Sequence, residues 1–86
     1  ENTVTANAGD GILLIGLAEV EIVGNRIVSN GGWGIAVWNE QCQDPKLVKQ
    51  APQENIFRGT VTGSENELRD NKKGDLCGVP DSLKKP

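Results

Sequence analysis

The sequence predicts an all-β fold, a solenoid of about three coils with three short strands per coil and one long polar loop inserted. The first observation behind this is a pattern that occurs three times. Asn2-Thr3-Val4-Thr5-Ala6-Asn7 precedes Gly11-Ile12, Asn25-Arg26-Ile27-Val28-Ser29-Asn30 precedes Gly34-Ile35, and Asn66-Glu67-Leu68-Arg69-Asp70-Asn71 precedes Asp75-Leu76. The second is the spacing: 23 residues from Asn2 to Asn25, and 41, the same period plus an insertion, from Asn25 to Asn66. A fixed period of this size marks a repeat architecture, in which no unit buries its apolar face until it stacks on its neighbours. The third is alternation. Val20 and Ile22 alternate with Glu19 and Glu21, Ile12 and Leu14 with Leu13 and Ile15, and Ile35 and Val37 with Ala36 and Trp38. Period two means strands with one face turned inward, and the β-branched residues favour it.

Each element follows in order. Coil one places strands near 3–6, 12–15 and 20–23. Coil two places them near 26–29 and 35–38, with the third displaced to about 57–62. The last coil places them near 67–70 and 76–77. Three strands per turn form three parallel sheets, with a rise per coil of about 4.8 Å. Val4, Ile27 and Leu68 then form one inner column, Ile12, Ile35 and Leu76 a second, and Val20 and Val61 part of a third. Asn7, Asn30 and Asn71 form a structural ladder. An Asn at a corner tolerates left-handed backbone angles, and its amide bonds the equivalent amide above and below, as burial requires. The insertion, about 39–55, is polar, carries two prolines and has no alternation. It reads as a loop with one helical turn near 45–49.

These three Asn-x-aliphatic-x-x-Asn copies, with their trailing Gly-Ile, Gly-Ile and Asp-Leu pairs, make the chain similar to the right-handed parallel β-helix repeat family, the pectate-lyase-like superfamily. The resemblance covers nearly everything except the insertion and the tail. It implies a right-handed parallel β-helix and relatives that mostly handle polysaccharide. It says little about activity, because this fold hosts lyases, hydrolases, epimerases and adhesins. Lyases of this resemblance use an Arg base with Asp-bound Ca²⁺. The arginines here, Arg26, Arg58 and Arg69, have no tight Asp cluster in sequence, so no metal and no cofactor is expected.

At 86 residues the chain is one domain, 1–86, with a net charge of −3 and scattered cations. No basic stripe points to nucleic acid, and no apolar run reaches membrane-spanning length. The absence of His excludes Ser-His-Asp and Cys-His catalysis. Glu19 and Glu21 share an outward face at a spacing that glycoside hydrolysis permits, but outward Glu on a solvated strand is ordinary surface. No catalytic residue is assigned.

Cys42 and Cys77 are the only cysteines. Cys77 follows the inward Leu76, so it points outward, one coil above Ala36. Cys42 lies a few residues past Ala36. A disulfide between them would clasp the insertion to the last coil, close a loop of about 35 residues and contribute roughly 3–4 kcal/mol. It also suits an oxidising compartment, hence a secreted, periplasmic or cell-surface location. Trp33 and Trp38 are the candidate ligand-binding residues. Both read either as a stacking platform for sugar rings or as packing, Trp38 under the insertion and Trp33 over the Gly31-Gly32-Trp33-Gly34 turn.

Terminal coils need caps. The tail 78–86 carries two prolines and ends in charge, and it fits a C-terminal cap. Coil one has none. The chain is therefore expected to be the C-terminal part of a longer β-helix, or to self-associate through its N-terminal coil, head to head. The leading functional reading is a non-catalytic scaffold or carbohydrate-binding surface of a secreted or cell-surface protein. The alternatives are a fragment of a polysaccharide lyase or hydrolase whose catalytic coils lie elsewhere, and an assembly element joining through coil ends.

Overall fold

The computed structural model of the protein describes residues 3–84. Eight strands form three parallel sheets. Coil one supplies β1 (Thr3–Thr5), β2 (Ile12–Leu14) and β3 (Glu19–Val23). Coil two supplies β4 (Arg26–Val28), β5 (Trp33–Val37) and, beyond the insertion, β6 (Thr60–Ser64). The last coil supplies β7 (Glu67–Arg69) and β8 (Gly74–Cys77). The sheets run β1-β4-β7, β2-β5-β8 and β3-β6. Every pairing is parallel and joins residues at the repeat distance. Val4 pairs with Ile27 and Ile27 with Leu68, Ile12 with Ile35 and Ile35 with Leu76, and Val20 with Val61. The result is a solenoid-like stack with the three aliphatic columns inside.

The columns are best buried where a coil lies on both sides. Ile27 and Ile35, in the middle coil, are 0% exposed. Full burial of such a side chain contributes about 1.5–3 kcal/mol. Their coil-one partners Val4 and Ile12 are only half-buried, as is Val20, the partner of Val61.

Asparagine holds the corners. Asn7 donates from its backbone N–H and Nδ2 to Asn30 Oδ1, at 3.1 and 3.0 Å, and Asn30 does the same to Asn71 Oδ1, at 3.1 and 2.9 Å. Asn30 and Asn71 also donate downward, to the carbonyls of Val4 and Ile27. Asn25 and Asn66, the first Asn of copies two and three, repeat this arrangement: Asn25 donates from N–H and Nδ2 to Asn66 Oδ1. That second set was not anticipated. Asn2, its counterpart in copy one, lies outside the described residues.

The left-handed backbone falls one residue earlier than expected. Ala6, Ser29 and Asp70 have φ of 60°, 59° and 58°, and Gly24 and Glu65 precede the other Asn pair at 72° and 62°. The Asn must turn its amide inward to reach the next coil, so the bend is taken by the residue before it. L-residues enter this region at a cost of roughly 1–2 kcal/mol, which two or more hydrogen bonds per corner offset.

The insertion contains α1 (Pro45–Gln50) and a 3₁₀ turn, Gln53–Asn55. Asp44 caps α1 by accepting from Lys46 N–H, and Pro45 starts it, as its fixed φ allows. Val48 packs inward at 1% exposure. The chain re-enters the stack where Gly16 N–H donates to Asn55 C=O and Arg58 N–H donates to Gly16 C=O. At the C-terminal end a 3₁₀ turn, Asp81–Lys84, covers β6. Leu83 is fully buried there, and its carbonyl accepts from Asn66 N–H and Nδ2. The described part of the tail thus packs against β6 and the Asn66 corner. Residues 85 and 86 lie outside the described residues.

Candidate functional site

The corner between β1 and β2, together with the corner above it between β4 and β5, joins polar side chains of two coils and of the insertion. Asp10 ends the lower corner. Its Oδ1 accepts the Trp33 backbone N–H at 2.8 Å, and its Oδ2 accepts from Gln43 Nε2 at 2.8 Å. One carboxylate therefore ties coil one to coil two and to the insertion. Ionised acceptors of this kind form shorter, stronger hydrogen bonds than neutral ones. Above and beside Asp10 lies an open cleft of about 380 Å³, lined among others by Gly9, Asp10, Leu13, Gly32, Gln43 and Lys73. It offers the exposed Lys73 ammonium as donor, the Gln43 amide as a further polar group and the half-exposed Leu13 as an apolar floor.

Neither tryptophan lines this cleft: Trp33 approaches it through its backbone bond to Asp10, and Trp38 lies beyond the other end of β5. Trp33 is the first residue of β5 rather than part of a free turn. Its indole Nε1 donates to the Cys42 carbonyl at 3.0 Å. Its six-membered ring lies over Gly74, one coil up, where a Cβ would come within 2.9 Å of the ring. Trp33 is half-buried and wedged between β8 and the insertion. Trp38 follows β5, and its backbone bonds Leu14 below and Phe57 beyond the insertion. It too is half-buried, and its Nε1 is enclosed with no hydrogen-bond partner.

Cys42 and Cys77 form a disulfide, with Cα atoms 5.8 Å apart, across 35 residues of sequence. Cys77 pairs with Ala36 in the strand register, so the bond fastens the insertion to the outer side of β8. A disulfide is compatible with an oxidising compartment. No described helix is long and apolar enough to cross a membrane.

The remaining candidates are surface groups. Glu19 and Glu21 are exposed on β3, beside a shallow depression lined by Val20, Thr60 and Thr62. Arg26 and Arg69 are occupied by exposed ion pairs to Glu67, at 3.6 and 2.8 Å, and Arg69 also meets Asp70. The hydrogen bond from Arg69 holds the Glu67 carboxyl below its ordinary range. Arg58 lines another open cleft with Leu17, Ala18 and Glu19. Among the described residues no three His, Cys, Asp or Glu side chains come together as a metal site.

Sequence reading singled out neither Asp10 nor Gln43 as a site residue, and counted Lys73 among the scattered cations. The signal for Asp10 is positional: it shares a repeat position with Trp33 and Gly74, the column that meets the insertion. Gln43 and Lys73 had no such signal. Searches against protein-family models, characterised proteins and solved structures return no match.

Proposed function

We propose that this chain is a non-catalytic, right-handed parallel β-helix domain of a secreted or cell-surface protein, a scaffold that presents a carbohydrate-binding surface at its glycine corner. The right-handed sense follows from the strong general bias of parallel-strand crossovers. The observation that carries the binding part is the cleft over Asp10. It combines donor and acceptor groups with an apolar floor, the mixture that sugar hydroxyls and ring faces require. Its walls are fixed by the Asp10 carboxylate and by the disulfide-clasped insertion, so little ordering remains to be done on binding. Trp33 is the aromatic residue nearest it in the fold, tied to Asp10 by its backbone and to Cys42 by its indole, while Trp38 lies beyond the far end of β5.

Glycan-array binding tests this. Binding to a polysaccharide, weakened about tenfold or more by Lys73→Ala and left unchanged by Lys72→Ala, supports the corner as the site. Absence of binding, or equal effects of the two changes, contradicts it. Product formation from pectin, alginate or xylan would favour the enzyme-fragment alternative.

A further inference from the structure

We propose that Asn30 is a modification site: it deamidates spontaneously whenever the chain unfolds, is closed to that reaction while the chain is folded, and once converted cannot rejoin the stack. This is independent of any sugar ligand, so either reading can fail without the other.

The sequence supplies the reactive pair. Of the eight asparagines only Asn30 is followed by glycine. In an Asn-Gly pair the glycine nitrogen reaches the asparagine Cγ readily, because no Cβ crowds the attack and the backbone turns freely. The equivalent corners hold Asn7-Ala8 and Asn71-Lys72, each with that Cβ. The fold leaves no alternative to glycine at this point. A Cβ on Gly31 would strike the Ala8 carbonyl oxygen and come within 2.9 Å of its carbon. The close approach of coils one and two therefore demands the very residue that makes Asn30 reactive.

The chemistry needs only water. The Gly31 backbone nitrogen gives its proton to solvent and bonds to Asn30 Cγ. The Cγ–Nδ2 bond breaks, and the amide nitrogen takes up a proton and leaves as ammonia. The resulting cyclic imide adds one water. Opening between Cγ and the Gly31 nitrogen leaves aspartate. Opening between the Asn30 carbonyl carbon and that nitrogen leaves isoaspartate, with the main chain rerouted through Cγ. Nothing is oxidised or reduced.

The folded corner restrains both reacting groups. Gly31 N–H donates to Asn7 C=O at 2.7 Å, and Asn30 C=O accepts from Lys72 N–H at 2.9 Å, so the peptide bond is clamped from the coils on either side. Asn30 Oδ1 accepts two bonds from Asn7, and Nδ2 donates to Val4 C=O and Asn71 Oδ1. The residue is 2% exposed. Turning Cγ towards the Gly31 nitrogen breaks these bonds, so reaction waits on opening and its rate follows the open population.

The same bonds exclude the product. An aspartate in place of Asn30 has no N–H for the Val4 carbonyl or for Asn71 Oδ1, and sets a buried charge against both oxygens. An isoaspartate lengthens the main chain between β4 and β5. Each unfolding thus carries a chance of permanent loss, a chemical route to irreversibility.

Peptide mapping by mass spectrometry tests this on the full chain with its disulfide intact, held at one mildly alkaline pH with and without denaturant. The exchange of amide for carboxyl is read at each asparagine. In denaturant Asn30 is expected to convert first. The native rate is expected to be lower by about a thousandfold, since folded domains keep only about one molecule in a thousand or fewer unfolded. Gly31→Ala, read only in denaturant where its folding does not matter, is expected to slow Asn30 to the rate of Asn7. After denaturant is removed, unconverted chains should regain the native elution volume in size exclusion and converted chains should not. A native rate within about tenfold of the denatured one would overturn the proposal. So would another asparagine converting first, a Gly31→Ala chain that converts as fast as the wild type, or converted chains refolding in proportion to their share.

Discussion

Asn30 binds three coils at once. Its Oδ1 accepts two hydrogen bonds from Asn7, and its Nδ2 donates to Val4 C=O below and Asn71 Oδ1 above. It is 2% exposed, so groups left behind by its removal find no water. Asn30→Ala is expected to destabilise by about 2–4 kcal/mol, because buried partners lose their bonds together. Asn7→Ala, at the exposed end of the same file, is expected to cost less than about 1 kcal/mol. Chemical denaturation of both variants gives the comparison. Equal losses would mean the file acts through local corner geometry rather than through its middle rung. Gly34 makes the complementary case. Gly34→Ala forces a methyl into the Asp75 carbonyl, Leu68 and Asn71. It is expected to cost about 1–3 kcal/mol or more in a thermal melt. Asp75→Gly, which relieves nothing within the chain, is expected to leave stability within about 1 kcal/mol apart from its exposed ion pair with Lys84.

At the scale of elements, the strands and their register were open to sequence reasoning, while the insertion's path was not. Ile12 falls on Ile35 because two periodicities agree there, the alternation within a strand and the 23-residue repeat across coils. The same repeat put Val20 on Val61 despite the intervening loop. The cysteine pair was readable because Ala36 and Cys77 share a register position. The second Asn file went unread, although Asn25 and Asn66 were in plain view, because its role depends on the carbonyls of the adjoining coil and of Leu83. The candidate cleft was less legible still. Its Gln43 side comes from a segment with no periodicity, which three contacts direct: the disulfide, the Trp33 indole bond to Cys42, and the Asp10–Gln43 bond. Reduction of the disulfide should therefore act on the insertion first. We expect a stability loss of roughly 3–4 kcal/mol, with amide exchange accelerating across 39–55 before it does in β5. Uniform acceleration across all strands would instead make the bond a global support.

For the molecule as a whole, stability is a sum over neighbouring coils, with the middle coil bonded on both sides and each end on one. This explains why Ile27 and Ile35 are fully buried while their coil-one partners Val4 and Ile12 are not. At the repeat position where Gly11 and Gly34 lie against the next coil, the last copy has Asp75, and no coil lies above it among the described residues. All of this requires that residues 23 apart in coils one and two, and 41 apart across the insertion, sit in adjacent rungs about 4.8 Å apart. Methyl–methyl nuclear Overhauser spectroscopy in solution tests that most directly. The account predicts strong cross-peaks from Ile12 to Ile35 and from Ile35 to Leu76, with none from Ile12 to Leu76. Absence of the Ile12–Ile35 peak, or a direct Ile12–Leu76 peak, would contradict it.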